Sequence, residues 1–215
     1  MATLTVSDIL GAGLDDWRLL AQGLHARYRT KSFVKGLEFV TAVTALAEEA
    51  GHHPDVTLTY PHVDLALISH DVGRITDRDL KLAHSITQLA AEMGIEAQPH
   101  AVAQFELALD TADVARIGPF WAALLTGKAD ALSGDEIVDK GGRVPTMWFQ
   151  PTEANDTPRQ RFHVDVWLPH DIADQRISAA IDAGGSLVSA ERAPAFTVLA
   201  DAEGNKVCVC TCLER

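Results

Sequence analysis

Only three of the 215 residues are cysteine, and they fall together at 208, 210 and 212. An odd, clustered set of this kind is no disulfide framework, and along a strand the three alternate positions would share one face. Positive charge is also scarce. Eighteen Lys and Arg stand against 30 Asp and Glu, a formal net charge of −12 at pH 7. Binding to a phosphate backbone rests on a basic face that releases counterions, and no Lys/Arg cluster is present, so no nucleic-acid partner is expected. No stretch reaches the roughly 18 apolar residues that a spanning helix needs. The opening MATLTVSDILGAGLDDW has neither a basic start nor a long apolar run. The expectation is a soluble, cytoplasmic protein with no membrane partner.

What the chain does have is enough apolar material for two cores. Hydrophobic residues make up 47% of it, and its length suits two compact domains of about 100 residues. LHARYRT (24–30) alternates as a half-buried strand does, and Ser32 is placed to cap the helix that follows. Phe33, Leu37, Val40, Val43, Ala47 and Ala50 recur at three- and four-residue spacing, and Gly51 is a natural stop. VTLTY and VDLALISH are β-like, DVGRIT is a turn, and a helix follows from about Asp77 to Met93 with Leu82, Ile86, Leu89 and Met93 on one face. GIEAQPHA (94–101) carries glycine and proline between two patterned regions, which places a domain boundary there: 1–97 and 98–215.

The second half uses one plan twice. QFELALDTAD leads into a helix carrying Ile117, Trp121 and Leu124, then into short strands ending in TMWFQP. RFHVDVWLPHD leads into a helix with Ile177 and Ile181, then FTVLAD, a turn at AEGN (202–205) and KVCVCTCL. Each copy reads as βαβββ, and the whole chain as α+β, an antiparallel sheet packed by helices followed by paired modules.

The chemistry gathers around EEAGHHPDVTLTYPHVDLALISHD (48–71), which puts His52 and His53 just past a helix and His70 at a strand end. Imidazole titrates near neutrality, so several in one pocket suit proton transfer, and a helix C-terminus favours the imidazolium. Adjacent histidines diverge and HExxH is missing, which argues against a metal at this point. Helix capping by His52 and His53, with His70 a satisfied strand-end residue, is the structural alternative. Asp79 follows Thr76 as a capping-box carboxylate would, Glu48 sits where a solvated helix face would run, and Tyr60 could be a strand residue with a polar tip.

Glu48, His52-His53-Pro54, Tyr60, His70 and Asp79, with their intervals, resemble the signature of the pterin-4a-carbinolamine dehydratases. Trp17, AEEAGHHPD and VDLALISHDVGRITDRDLKLA extend the likeness over roughly residues 5–95. The resemblance implies dehydration of 4a-hydroxytetrahydropterin to the quinonoid dihydropterin, with no metal or redox cofactor. It implies His52, His53 and His70 as catalytic groups, with acid and base unassigned, Glu48, Pro54, Tyr60 and Asp79 as substrate-binding, and a homo-oligomer. Arg74 departs from it by standing where the family has glycine; a left-handed turn position would disfavour Arg74, whose charge could alternatively help hold an anionic substrate tail.

The repeated half resembles glyoxalase-like members of the vicinal oxygen chelate superfamily over roughly 102–213, on GPFWAALL, RFHVDVW and VLADAEGNKVCVC. That likeness implies a cup whose metal ligands, where present, come from the first and last strands of each module. Glu106 and His163 stand at equivalent positions in the two copies, but the last strands offer Trp148 and Gln150, and the cysteines, in place of a glutamate. The expectation is therefore a metal-free cup for an unknown small molecule, lined by Trp148, Gln150, Asp165, Trp167 and Cys210. A binding or dimerisation module without catalysis is one rival reading. A metal-dependent lyase or dioxygenase, or a ligand-sequestering protein, working through the second half is another.

Overall fold

The computed structural model describes residues 4–126, 128–139, 144–154, 162–200 and 206–215, the side chains at 120, 123 and 124 excepted. The turn expected at 202–205 and the side chain of Leu124 lie outside the described residues. The chain divides into two compact units. Unit 1 comprises Met1–Ala103, Leu168–Ile172 and Thr211–Arg215, and unit 2 comprises Gln104–Trp167 and Ala173–Cys210. Among the described residues no helix is long and apolar enough to cross a membrane.

Unit 1 runs α1 (Val6–Leu10), β1 (Arg18–Leu20), β2 (Gly23–Arg29), α2 (Phe33–Ala50), β3 (Asp55–Thr59), β4 (His62–Leu67), α3 (Asp77–Glu92) and β5 (Glu96–Ala97). Its antiparallel sheet has the order β1-β2-β4-β3, with β5 also paired to β2. Inward positions of β2 and β4 supply Leu24, Ala26, Tyr28, Val63, Leu65 and Leu67, which close a core with Phe39 and Val43 of α2 and Leu82 and Ile86 of α3. Tyr28 meets Phe39 edge-on at 5.1 Å. Leu89 and Met93 pack against this core as their spacing predicts.

α2 starts and stops as its sequence dictates. The Ser32 side chain accepts from the Lys35 N–H at 3.1 Å, and Gly51 takes the left-handed conformation at φ 58°. Its buried face, however, runs through Gly36, Phe39, Val43 and Ala47, while Phe33 and Leu37 are more than half exposed. The first half of the expected stripe is thus out of phase. Phe33, Val34, Leu37, Phe39 and Val40 make this turn apolar almost all round, so spacing alone admits two faces; the sheet meets the one that includes Gly36.

The late segments of unit 1 are held by both core and charge. Cys212 is buried in the apolar cluster, with Leu213 packed against it. Arg18 clasps Asp171 at 2.8 and 3.4 Å, and His100 Nε2 lies 3.1 Å from the same carboxylate. Burial pushes Asp171 up, but Arg18 and then His100 outweigh it and hold the carboxyl below its usual range.

Unit 2 runs β6 (Gln104–Thr111), α4 (Val114–Thr126), β7 (Leu132–Ser133), β8 (Glu136–Ile137) and β9 (Thr146–Pro151), then β10 (Phe162–Trp167), α5 (Ala173–Asp182), β11 (Ser186–Ser189), β12 (Phe196–Ala200) and β13 (Lys206–Cys210). These are the two βαβββ modules. They form one eight-stranded sheet, β11-β12-β13-β10-β6-β9-β8-β7, joined at the antiparallel β10/β6 pair. Leu109, Met147 and Phe149 turn one face toward Ala122 of α4. Strand alternation sends Glu106, Ala108 and Asp110, with Trp148, His163, Asp165, Trp167, Cys208 and Cys210, to the other.

Candidate functional site

Gly51 turns the chain back at the end of α2, and the His52 N–H donates to the Ala47 carbonyl at 3.1 Å. The two histidines then diverge: His52 is 7% exposed, whereas the side chain of His53 is 58% exposed. His52 Nε2 lies 2.7 Å from Asp79 Oδ1. Asp79 is fully buried, and its Oδ2 accepts from the Ser69 hydroxyl at 2.6 Å, the Thr76 N–H at 2.7 Å and the Thr76 hydroxyl at 3.2 Å. One carboxylate therefore ties together the end of α2, the segment after β4 and the first turn of α3. It completes the capping box and also fixes the His52 ring, and with 0% exposure the Asp79 carboxylate lies beneath His52.

His53 Nε2 lies 2.9 Å from Glu48 Oε1, and His70 Nε2 lies 3.9 Å from Asp55 Oδ2. Both pairs are exposed, so they contribute little to stability and leave the rings accessible. Partly buried Pro54 links His53 to Asp55 at the start of β3, so all three histidines share one end of the unit. Tyr60 does not join them. It is 72% exposed in the β3–β4 turn beside the Thr59/His62 pair, while the histidine end is marked by the Asp55/Ala66 pair. Five residues of strand separate the two ends, roughly 16 Å.

The loop after β4 also resolves the Arg74 question. Ser69 and Arg74 form an isolated bridge, and the left-handed residue is Gly73 at φ 64°, not Arg74. Arg78 holds the Asp71 carboxyl below its usual range by hydrogen bonding.

On the face of the unit 2 sheet opposite α4, two carboxylates are each gripped by an indole. Trp167 Nε1 donates to Glu106 Oε2 at 2.7 Å, and Trp148 Nε1 donates to Asp165 Oδ2 at 3.1 Å. Glu106 and Asp165 are direct cross-strand neighbours and both are buried. His163 pairs with Ala108, so it shares the face of Glu106 but lies one step along the strand from it. Its Nδ1 is 3.7 Å from Asp110 Oδ1, its Nε2 is 3.6 Å from Asp165 Oδ1, and its ring meets Trp148 edge-on at 5.7 Å. Cys210 is buried beside Trp167, whereas Gln150, expected in the lining, is exposed.

Comparison with known proteins separates the same two regions. The family model for pterin 4 alpha carbinolamine dehydratase matches residues 3–89, and that for a glyoxalase-like domain matches residues 106–210. A protein of Thermomicrobium roseum named for pterin-4-alpha-carbinolamine dehydratase is 43% identical over 75 residues, covering 35% of this chain and 81% of the relative. The chain belongs to the pterin-4-alpha-carbinolamine dehydratase family. One from Koribacter versatilis, with the same dehydratase name, is 37% identical over 89 residues, covering 40% of this chain and 95% of its own. Among solved structures, a transcriptional coactivator/pterin dehydratase from Brucella melitensis is 27% identical, covers 41% of this chain and 99% of its own, and has a TM-score of 0.39.

In this dehydratase-family unit, two side chains near the histidines escaped the sequence reading. Ser69 follows Val63, Leu65 and Leu67 at the inward parity of an apolar strand, and a hydroxyl at such a position signals a buried polar partner. His25 lies on β2 in the row His25–Ala66–Asp55 across the sheet. Burial lowers its pKa to about 4, against the opposing pull of Asp55 and Asp64. Its signal was the histidine within LHARYR, at a position facing away from the core.

Proposed function

We propose that unit 1 dehydrates 4a-hydroxytetrahydropterins to the quinonoid dihydropterin, with histidines as the proton donors and acceptors. The observation that carries this reading is the buried Asp79 carboxylate at 2.7 Å from His52 Nε2, next to two exposed imidazoles. With Asp79 ionised, the Nε2 proton of His52 points at it, and in the neutral ring Nδ1 keeps the lone pair. His52 is thus prepared as a base, and the solvent-facing His53 and His70 as acids that regain protons from water.

In the reaction the C4a–O bond breaks as an imidazolium protonates the departing hydroxyl, releasing water. A base removes a proton from the pterin ring, and the electron pair left behind forms the new double bond. Side chains supply both proton transfers, so this step calls for neither metal nor redox cofactor. The family relationship supports the same reading, and a small-molecule role for unit 2 accompanies it.

The test follows quinonoid product from enzymatically generated 4a-hydroxytetrahydropterin. His53 is exposed, so His53→Ala keeps the fold, and a catalytic role predicts a rate lower by about 10²-fold or more. A folded wild-type protein that adds nothing to the spontaneous rate overturns the proposal and leaves the histidine cluster as architecture.

A further inference from the structure

Three side chains of unit 2 that the dehydration chemistry does not use converge on one point. His163 and Asp165 alternate on β10, and the parallel register of β10 with β13 sets Cys208 directly beside Asp165. A ring nitrogen, a carboxylate oxygen and a sulfur from the three all lie within 4.8 Å of one another. We propose that His163, Asp165 and Cys208 bind a divalent cation of the thiophilic, borderline class to which zinc and cobalt belong.

The distances suit such an ion. Tetrahedral bonds of about 2.0–2.1 Å to nitrogen and oxygen and about 2.3 Å to sulfur put neighbouring ligand atoms roughly 3.3–3.6 Å apart. His163 Nε2 and Asp165 Oδ1 are already 3.6 Å apart. The donor set points away from magnesium and calcium, which take oxygen ligands, and toward metals that accept thiolate and imidazole. The outer partners are in place as well. Trp148 holds Asp165 by Oδ2, which turns Oδ1 toward His163. Asp110 stands 3.7 Å from Nδ1, on the side of the ring opposite the proposed ion, the arrangement by which a carboxylate orients a ligating imidazole.

Charge and access agree with this. Asp165 and Asp110, with Glu106 one strand across, gather three carboxyl groups here, and a cation offsets the repulsion between carboxylates held this close. The side chains of His163 and Asp165 are 17% and 8% exposed, enough to admit an ion from solvent. Three protein ligands leave a coordination position for water or a substrate atom, as in catalytic zinc sites. All three ligands belong to the second module. This departs from the expected metal-free cup, and equally from a site drawing ligands from both modules.

The test is Co²⁺ titration of the chelator-treated full-length protein, read by absorption. One Co²⁺ per chain is expected, with a near-ultraviolet thiolate-to-cobalt charge-transfer band that Zn²⁺ bleaches in competition. Cys208→Ser, nearly isosteric, removes the band, while Cys212→Ser, at a thiol in unit 1, retains it. His163→Ala weakens binding by more than the ~10–100-fold typical of losing an outer partner. Thermal melting confirms the fold of each variant, and Asp165→Asn gives a second way to lose affinity if His163→Ala unfolds. No retained ion in the folded wild type, or a band that survives Cys208→Ser, overturns the proposal.

Discussion

The two units each bury carboxylates among polar partners, but they recruit those partners in opposite ways. Asp79 collects Ser69 and Thr76, ten and three residues away, and reaches His52 across the β3–β4 hairpin. Glu106 and Asp165 are served by indoles 61 and 17 residues distant, brought close only by strand register. A helix N-terminus gathers donors locally because its own first turn offers free N–H groups. A sheet face gathers them only after distant strands have found each other. Asp79 thus belongs to a cluster that a short peptide already sketches, and the Glu106–Trp167 pair to one that exists only in the finished sheet.

Breaking the local hub should have the largest effect. Asp79→Asn replaces an acceptor of several hydrogen bonds with a group that must turn its own N–H toward at least one donor. We expect a loss of about 3 kcal/mol in urea unfolding and a dehydration rate lower by about 10²-fold. In the proposed reaction Asp79 works through His52, so the pH–rate profile should shift as well, which a merely structural defect would not produce.

The second prediction separates the histidines of unit 1. Well above pH 6.5 His25 is neutral both folded and unfolded and has no effect on stability. As pH falls from 6.5 toward about 4, the unfolded chain takes up the proton while the folded one resists, so stability is lost through that window. Urea unfolding at pH 7 and pH 4.5 should show His25→Leu sparing on the order of 2 kcal/mol of the acid loss seen in the wild type. An unchanged acid limb in the variant would remove His25 as its source.

The smallest effect should come from the distant pair. Trp167→Phe keeps most of the ring in place and removes only the indole donor to Glu106, for an expected 1.5–2 kcal/mol, roughly the worth of one hydrogen bond to a charged group. A loss as large as that of Asp79→Asn would erase the contrast between local and assembled networks.

The same contrast explains what could be read without coordinates. Ser32, Gly51 and the Thr76–Asp79 cap were legible because caps are encoded within four residues, and the two βαβββ modules because alternation and helical spacing repeat. β1 and β5 were not, being three and two residues long, too short to show a period. Tyr60 was grouped with the histidines by interval, but interval says nothing of which end of a hairpin a residue occupies. The approach of Cys208 to Asp165 needed the parallel register of β13 on β10, and no local pattern in KVCVCTCL specifies it.

The return of late residues to unit 1 bears on how the molecule is made. The apolar cluster that Trp17 and Tyr28 begin is completed by Cys212, and the Arg18 clasp waits for Asp171. On a ribosome that adds roughly 5–20 residues per second, the first unit to emerge is therefore the last to receive all of its contacts, because Asp171 and Cys212 follow most of unit 2.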